Sequence, residues 1–458
     1  MALAWAFPFV LVVQNFLQVH GAKATLPAHP RIYFADVPDY YKSNPFEPKK
    51  GGALDDRTLG SQLLGNLISR EAELWTTHWS VVDLWWIKQI FISPLRVHDY
   101  AQADVVFVAA VLDPQMTNDE QCTSFFEDFA PKHLPFLKSK PHLLVLSHGL
   151  VYQNPGWEGK HPRCWQHPHA RHFTILSQEA LAASVDPQPV GSDWANFVAF
   201  PMMARLHFHR GGLQLWKRFD TEAMLAQKSR LVFSSFLVKR YPAYPSRTAA
   251  HAQCLAAPSL CEHYHFDSSD EPHSISEVQK GFERSWYALM PEADFKIRNS
   301  FYDALVALCL PVVFEADFMR HLPFTDMVDY SIFVRYVDES LFVPEGTNAS
   351  VVETLANEHV EADALESLKT LHSIAHVFQY MENPAHELIR FDQRNMVHPE
   401  DDAFTFTMKA VLRNLCRRGK FEPRRCRVFS RNYGIKRPVG GLVPNGTEGK
   451  ETFSTASN

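Results

Sequence analysis

Apolar positions along this chain fall into two recurring patterns: short unbroken β-branched runs, and longer stretches with an apolar residue every three or four positions. The first suits strands buried on both faces of a parallel sheet, the second suits helices lying against such a sheet. "RIYFADVP" opens the series as a short strand ended by Pro38. Leu59, Leu63, Leu67 and Leu74 then predict an amphipathic helix over 57–79. "ADVVFVAAVL" from Ala103 and "HLLVLS" from His142 read as buried strands, with a helical period from Asp119 to Leu137 between them. Strand, helix, strand is a parallel crossover unit.

The stretch 151–226 is rich in His, Pro, Gly and Trp, and only "FTIL" at Phe173 and "FVAF" at Phe197 stand out in it as short strands. A second series begins at "RLVFSSFLV" from Arg230 and continues with helices over 246–255 and 275–286. "YALMP" and "LPVVF" follow as strands flanking a helix over 297–308, and "SIFVRYV" from Ser331 as a further strand. Leu365, Leu368, Leu371, Ile374 and Phe378 predict one long helix over 351–381. Two α/β series in one chain of 458 residues predict two facing Rossmann-like domains with a cleft between them. The expected boundaries are 25–226 and 227–437, with a disordered Gly/Ser/Thr-rich tail over 438–458.

Composition narrows the function without naming it. Apolar content of 46% and charged content of 21% are those of a globular protein. A net charge of -6 gives no global field to recruit nucleic acid or an anionic membrane, so any handling of phosphate must be local. The apolar run from Ala2 to Val13, followed by Ala22-Lys23-Ala24, reads as a secretory signal peptide over 1–24, with an uncleaved signal anchor as the alternative. The sequons at Asn348 and Asn445 fit a lumenal address. Among the seven cysteines, Cys254/Cys261 and Cys416/Cys426 are the disulfide candidates, and Cys309 sits in an apolar run as a buried thiol. The His-rich stretch 161–172 has irregular spacing and no acidic partners within it, so no metal is expected.

The segment with most chemical content is "YALMPEADFKIRNSFYDALVALCLPVVFEAD" from Tyr287. It places an acidic loop (Glu292, Asp294) and a helix start carrying Lys296 and Arg298 between two strands. A helix amino terminus offers unpaired amides, and an adjacent guanidinium can take a phosphate in a two-pronged contact. Ligands of such sheets sit beyond the carboxyl ends of the strands, which is where this loop falls.

This segment, continued through Leu322-Pro323-Phe324 and Phe333-Val334, resembles the most characteristic run of the exostosin family, glycosyltransferase family 47. Pro291, Asp294, Arg298, Asp303-Ala304, Cys309, Pro311-Val312-Val313 and Asp317 match in order. "RIYFADVPDYY", "AQADVVFVAA", "HLLVLSHG", the arginine at Arg247 and the late "DDAF" are similar to further family segments. The resemblance implies a GT-B fold and transfer of a sugar, with inversion, from a UDP-sugar to a polysaccharide or glycoprotein glycan. It puts the acceptor on the first domain and the donor on the second. Arg298 and Arg247 would bind the diphosphate, Asp303 the ribose, and Asp294, Glu315 and Asp317 would line the donor side. His148, at the end of "LLVLS", would be the general base, although its family neighbour, an aspartate, is Gly149 here.

A Golgi or secreted location and a homo- or hetero-oligomer are compatible with this reading, and neither a bound cofactor nor a metal is required by it. Ala293, Phe295 and Lys296 depart from the family pattern in the donor loop. They keep a second reading open, that of a catalytically silent lumenal carbohydrate-binding or scaffold protein on the same fold.

Overall fold

The computed structural model describes residues 28–38, 66–69, 74–76, 82–110, 112, 119–134, 139–145, 167–178, 196–203, 206–208, 220–235, 245–264, 275–291, 297–341, 350–381, 384–391 and 397–426. Two parallel sheets organise them. The first contains β1 (Ile32–Ala35), β4 (Arg96–Val97), β5 (Val105–Val108), β6 (His142–Val145), β7 (Phe173–Ser177) and β8 (Phe197–Ala199), in the order β4-β1-β5-β6-β7-β8. β10 (Arg230–Ser234), β11 (Cys261–His263), β12 (Ser285–Met290), β13 (Leu310–Val313) and β14 (Arg335–Tyr336) build the second, ordered β11-β10-β12-β13-β14. β5, β6, β12 and β13 are buried at every position, which is why they read as continuous apolar runs.

In each sheet the second strand of the series lies outside the first and the third lies on its other side, so the order reverses between β1 and β5 and again between β10 and β12. Such reversals leave a crevice beyond the carboxyl ends of the two strands that flank them. The crossovers diverge there, one to each face of the sheet.

Three expectations are corrected. Within 57–79 the described residues form strands rather than a helix: β2 (Asn66–Ser69) and β3 (Leu74–Thr76) pair antiparallel with each other, and β3 pairs with β9 (Leu206–Phe208). Gly60 and Gly65 interrupt the leucine period, and the β-branched Thr76 and Thr77 favour extended chain. The long helix over 351–381 breaks into Val351–Glu358 and Glu361–Ile374, with extended backbone at His359 and Val360. His359 is drawn toward the second sheet, where its Nδ1 lies 3.2 Å from the Tyr287 hydroxyl and its ring packs on Trp286. Only Arg335–Tyr336 of "SIFVRYV" is strand, because Asp329 caps a 3-10 turn at Tyr330–Ile332 ahead of it.

The helix Val82–Ile92 was not foreseen. It buries Val82, Trp85, Trp86, Ile87, Gln89 and Ile90, so it has no polar stripe to mark it as helical. Its tryptophans join the two halves of the molecule. Trp86 packs on Phe200 beyond β8 and on Phe404 of the helix Ala403–Arg417, while Trp85 meets Tyr380, whose hydroxyl donates to the Pro201 carbonyl at 2.9 Å. Beyond the second sheet, therefore, the chain returns to the first, and Ala403–Arg417 packs along β8. Arg425 completes the return, its guanidinium meeting Asp104 at 2.8 Å beside Arg31.

Disulfides join Cys254 to Cys261 and Cys416 to Cys426, and Cys309 is a buried free thiol, all as expected. Cys122 is disulfide-bonded as well, which the spacing of the cysteines had not suggested. The leader, the asparagines of both sequons and the tail lie outside the described residues.

Candidate active site at the carboxyl edge of the second sheet

Along the carboxyl edge of the second sheet the strand ends fall in the order His263, Ser234, Met290 and Val313, on β11, β10, β12 and β13. The crevice predicted by the strand order lies between Ser234 and Met290. Each of these two strands leads into a helix whose start carries an arginine. β10 leads to Pro245–Ala256 with Arg247 in its first turn, and β12 leads to Asn299–Val306 with Arg298 as its N-cap residue.

Arg298 is half-buried, with extended backbone and no side-chain cap, and its Nη1 donates to the Pro291 carbonyl at 3.3 Å. That contact ties the guanidinium back to the end of β12 and keeps it beside the crevice. The amides of the first turn and the helix dipole add positive potential at the same point. Arg247 is only 4% exposed. A guanidinium held there interacts with an anion in a low-dielectric setting, where charge-assisted hydrogen bonds are stronger than at a wet surface.

Asp303 lies in the second turn of Asn299–Val306 and is buried at 4% exposure, its carbonyl accepting from the Ala307 amide at 3.0 Å. Glu315 and Asp317 follow β13 and remain half-exposed. Asp317 precedes a 3-10 turn, Phe318–His321, and its Oδ2 lies 3.4 Å from Nε2 of the buried His321. The strand order thus brings Arg247, Arg298, Glu315 and Asp317 to one edge, from segments far apart in sequence. Asp294 and His148 lie outside the described residues, as does the loop containing Ala293, Phe295 and Lys296.

The sequence reading missed a group on the other flank of this edge. Ser234 Oγ and His263 Nδ1 share a 2.6 Å hydrogen bond, and the His251 ring meets that of His263 edge-on with centroids 4.4 Å apart. Histidines with neither a motif nor a regular spacing carry no signal until β10 and β11 are paired.

At the opposite edge of the sheet Lys228 donates to the carbonyls of Ser285 and Leu308, at 2.7 and 2.8 Å, and burial lowers its pKa to about 8. Leu308 has φ +53°, and Lys228 anchors its carbonyl there. Burial raises the neighbouring Cys309 thiol to about 12, which makes it inert. This edge is structural. Among the described residues no group of three or more His, Cys, Asp or Glu is arranged to hold a metal ion, and no helix is long and apolar enough to cross a membrane.

Two parallel α/β sheets, each with a reversal in strand order, define the GT-B class of architecture. A model of the exostosin GT47 domain matches residues 27–355, and the chain belongs to that family. It is 26% identical over 154 residues to xyloglucan galactosyltransferase MUR3 of Arabidopsis thaliana, an alignment covering 32% of this chain and 22% of that protein. To the Arabidopsis thaliana protein named Probable xyloglucan galactosyltransferase GT13 it is 28% identical over 192 residues, covering 40% and 36%. The alignments therefore span a fifth to about a third of these relatives' own length. Among solved structures, Arabidopsis thaliana UGT89C1 complexed with quercetin is similar with a TM-score of 0.28 and 10% identity, over 74% of this chain and 77% of that one.

Proposed function

We propose that this chain is an inverting glycosyltransferase of the secretory pathway, which moves a sugar from a UDP-sugar to a glycan acceptor. The observation that carries the proposal is the pair of arginines. Arg247 and Arg298 stand on the two helices that follow the strands flanking the reversal in the second sheet, where a diphosphate has most to gain from cations and helix amides.

On this reading, residues 227–437 hold the donor, apart from the helix Ala403–Arg417 that packs back on the first sheet, and residues 25–226 hold the acceptor. Arg298 and Arg247 neutralise the diphosphate as it leaves, which lowers the barrier because their interaction grows with the developing charge. Glu315 and Asp317, on the β13 side of the crevice, hydrogen-bond donor hydroxyls. Asp303, in the helix that follows Arg298, serves the ribose. His148, just past β6, takes the acceptor proton, and Asp294 shapes the loop beside the sugar. No metal enters this scheme, since the cations at the diphosphate are side chains.

The names of the two Arabidopsis relatives make galactose the first donor sugar to test. A Golgi location, by a cleaved signal or an anchor, and any homo- or hetero-oligomer belong to the same proposal. Titration of the full chain with UDP tests its core. Charge-assisted hydrogen bonds contribute roughly 1.5–3 kcal/mol each, so Arg298→Ala is expected to weaken UDP binding by about 10- to 100-fold. Absence of UDP binding in the parent chain, or full binding in the variant, overturns the donor-site reading and favours a non-catalytic protein on this fold. Screening UDP-sugars with NMR of the product anomer then gives the donor and tests inversion.

A further inference from the structure

The segment "RTAAHAQCLAAPSLCEH" places Arg247, His251, Cys254, Cys261 and His263 in one helix-to-strand passage. Arg247 and His251 are four residues apart on the helix Pro245–Ala256, and so are neighbours on its surface. Three residues after His251, Cys254 is bonded to Cys261, which opens β11. His263 closes β11 in register with Ser234, the last residue of β10. The Ser234 hydroxyl is buried at 1% exposure between the His263 ring, at 2.6 Å, and Cys254 Sγ, at 3.6 Å.

The helix bearing Arg247 is thus fixed to the sheet at two levels. The disulfide fixes its last turn to the start of β11, and the His251–His263–Ser234 contacts fix its middle, one turn after Arg247, to the ends of β10 and β11. The histidine contacts are not what buries this helix, since Ala250 and the disulfide-bonded Cys254 face the core without them. Of the three polar side chains in this contact chain Ser234 is buried and the two histidines are half-buried, so the hydroxyl must be satisfied where it sits, and His263 satisfies it. These contacts define an orientation.

Resting on the donor-site reading above, we infer that Ser234, His263 and His251 are positioning residues that hold Arg247 in place for the donor diphosphate. A guanidinium binds a diphosphate well only when its planar fork is aimed before the ligand arrives, and a displacement of about 1 Å at such a site can lower the rate by ~100-fold. The chain of contacts runs Ser234 to His263 to His251, and from His251 one helical turn to Arg247.

The test is UDP titration of the full chain, with melting temperature measured alongside. His263→Leu and Ser234→Ala are expected to weaken UDP binding by about tenfold. His263→Asn, whose amide can replace Nδ1 toward Ser234, is expected to remain within about twofold of the parent. Adding Arg247→Ala to His263→Leu should cause no further loss beyond that of Arg247→Ala alone, since the network acts through that arginine. Ser234→Ala removes one oxygen from the site and serves where His263→Leu fails to fold. Parental UDP affinity in His263→Leu and Ser234→Ala, additive losses in the double variant, or an Asn variant as weak as the Leu variant would each overturn the inference. Arg298→Ala, run in parallel, separates this from failure of the donor site itself. If UDP binding persists in that variant too, the donor reading has failed, whereas its loss there with retention in the histidine variants removes only the positioning role.

Discussion

Lys409 and Asp401 form an ion pair at 2.6 Å with side chains 1% and 0% exposed, inside the joint where the chain returns from the second sheet to the first. Replacing Lys409 with Met keeps the length of the side chain and removes its charge. The Asp401 carboxylate then stays buried with two remaining donors, the His398 amide at 2.7 Å and the Thr405 hydroxyl at 3.2 Å. Breaking a buried pair from one side typically destabilises by about 3–5 kcal/mol, and the two surviving donors place this case near 3 kcal/mol. Asp401→Asn together with Lys409→Met leaves no uncompensated charge and an acceptor for His398, so the double variant should recover to within ~1–2 kcal/mol of the parent. The double variant is therefore expected to be about 1–2 kcal/mol more stable than Lys409→Met alone. Urea unfolding followed by tryptophan fluorescence is the suitable assay, because Trp86 packs on Phe404 at the start of the helix that contains Lys409. A loss below about 1 kcal/mol in the single variant, or a double variant no better than the single, would refute this account of the joint.

Burial raises the Asp402 carboxyl to about 7 against the pull of its donors, the Thr405 and Met381 amides and the Thr405 hydroxyl. The folded state then holds a proton that the unfolded chain releases near the ordinary aspartate value, so stability from this group is full at acid pH and is lost as pH rises through about 7. Urea midpoints measured from pH 4 to pH 8 should decline, and Asp402→Asn should flatten that decline. Gly281 lies against the buried Phe233, where an added Cβ would fall 2.1–2.7 Å from three ring atoms, whereas one at Gly419 meets nothing within 4 Å. Gly281→Ala should therefore destabilise by about 2 kcal/mol or more through overpacking, while Gly419→Ala, at φ +66°, should lose only the ~1 kcal/mol of a left-handed backbone. Chemical denaturation of the two variants compares them directly. Removing the Cys254–Cys261 disulfide, whose ends are seven residues apart, should lower stability by about 2 kcal/mol, and equal urea midpoints for parent and double alanine variant would contradict that.

What the sequence makes legible follows from burial. Strands enclosed on both faces, such as Val105–Val108 and Ser285–Met290, appear as unbroken apolar runs and were located from pattern alone. Val82–Ile92 buries most of its side chains but carries apolar residues at exposed positions too, Phe91 and Ile92, so without a polar face it leaves no 3.6-residue period to read. The leucines of 57–79 do show a period, yet local spacing cannot report that β3 finds partners in β2 and in β9, the latter far along the chain at Leu206–Phe208. His359 makes the same point within one helix pattern: contacts with Trp286 and Tyr287 outweigh the propensity of the residues around it.

At the site, the legible residues are those whose chemistry is marked by local context. Arg298 could be proposed because a basic residue at a helix start beyond a strand already has a physical use there, whereas Arg247 was marked only by the family resemblance. What a linear reading could not supply is that β10 and β12 are neighbours while β11 lies outside them. That order brings the two arginines to the same crevice, and it sets His263 beside Ser234. Pairing of strands is decided by packing across the whole sheet, so the residues it brings together need share no spacing in sequence. The departures from the family pattern at Ala293, Phe295 and Lys296 lie on the loop that follows β12, between its end and Arg298. On the proposed donor reading they would alter the surroundings of the sugar, while the strand order that brings the two arginines to one edge does not depend on them. If the donor site works as proposed, variation in that loop alters which sugar is accepted, while variation at Arg247 or Arg298 alters whether the nucleotide is held at all.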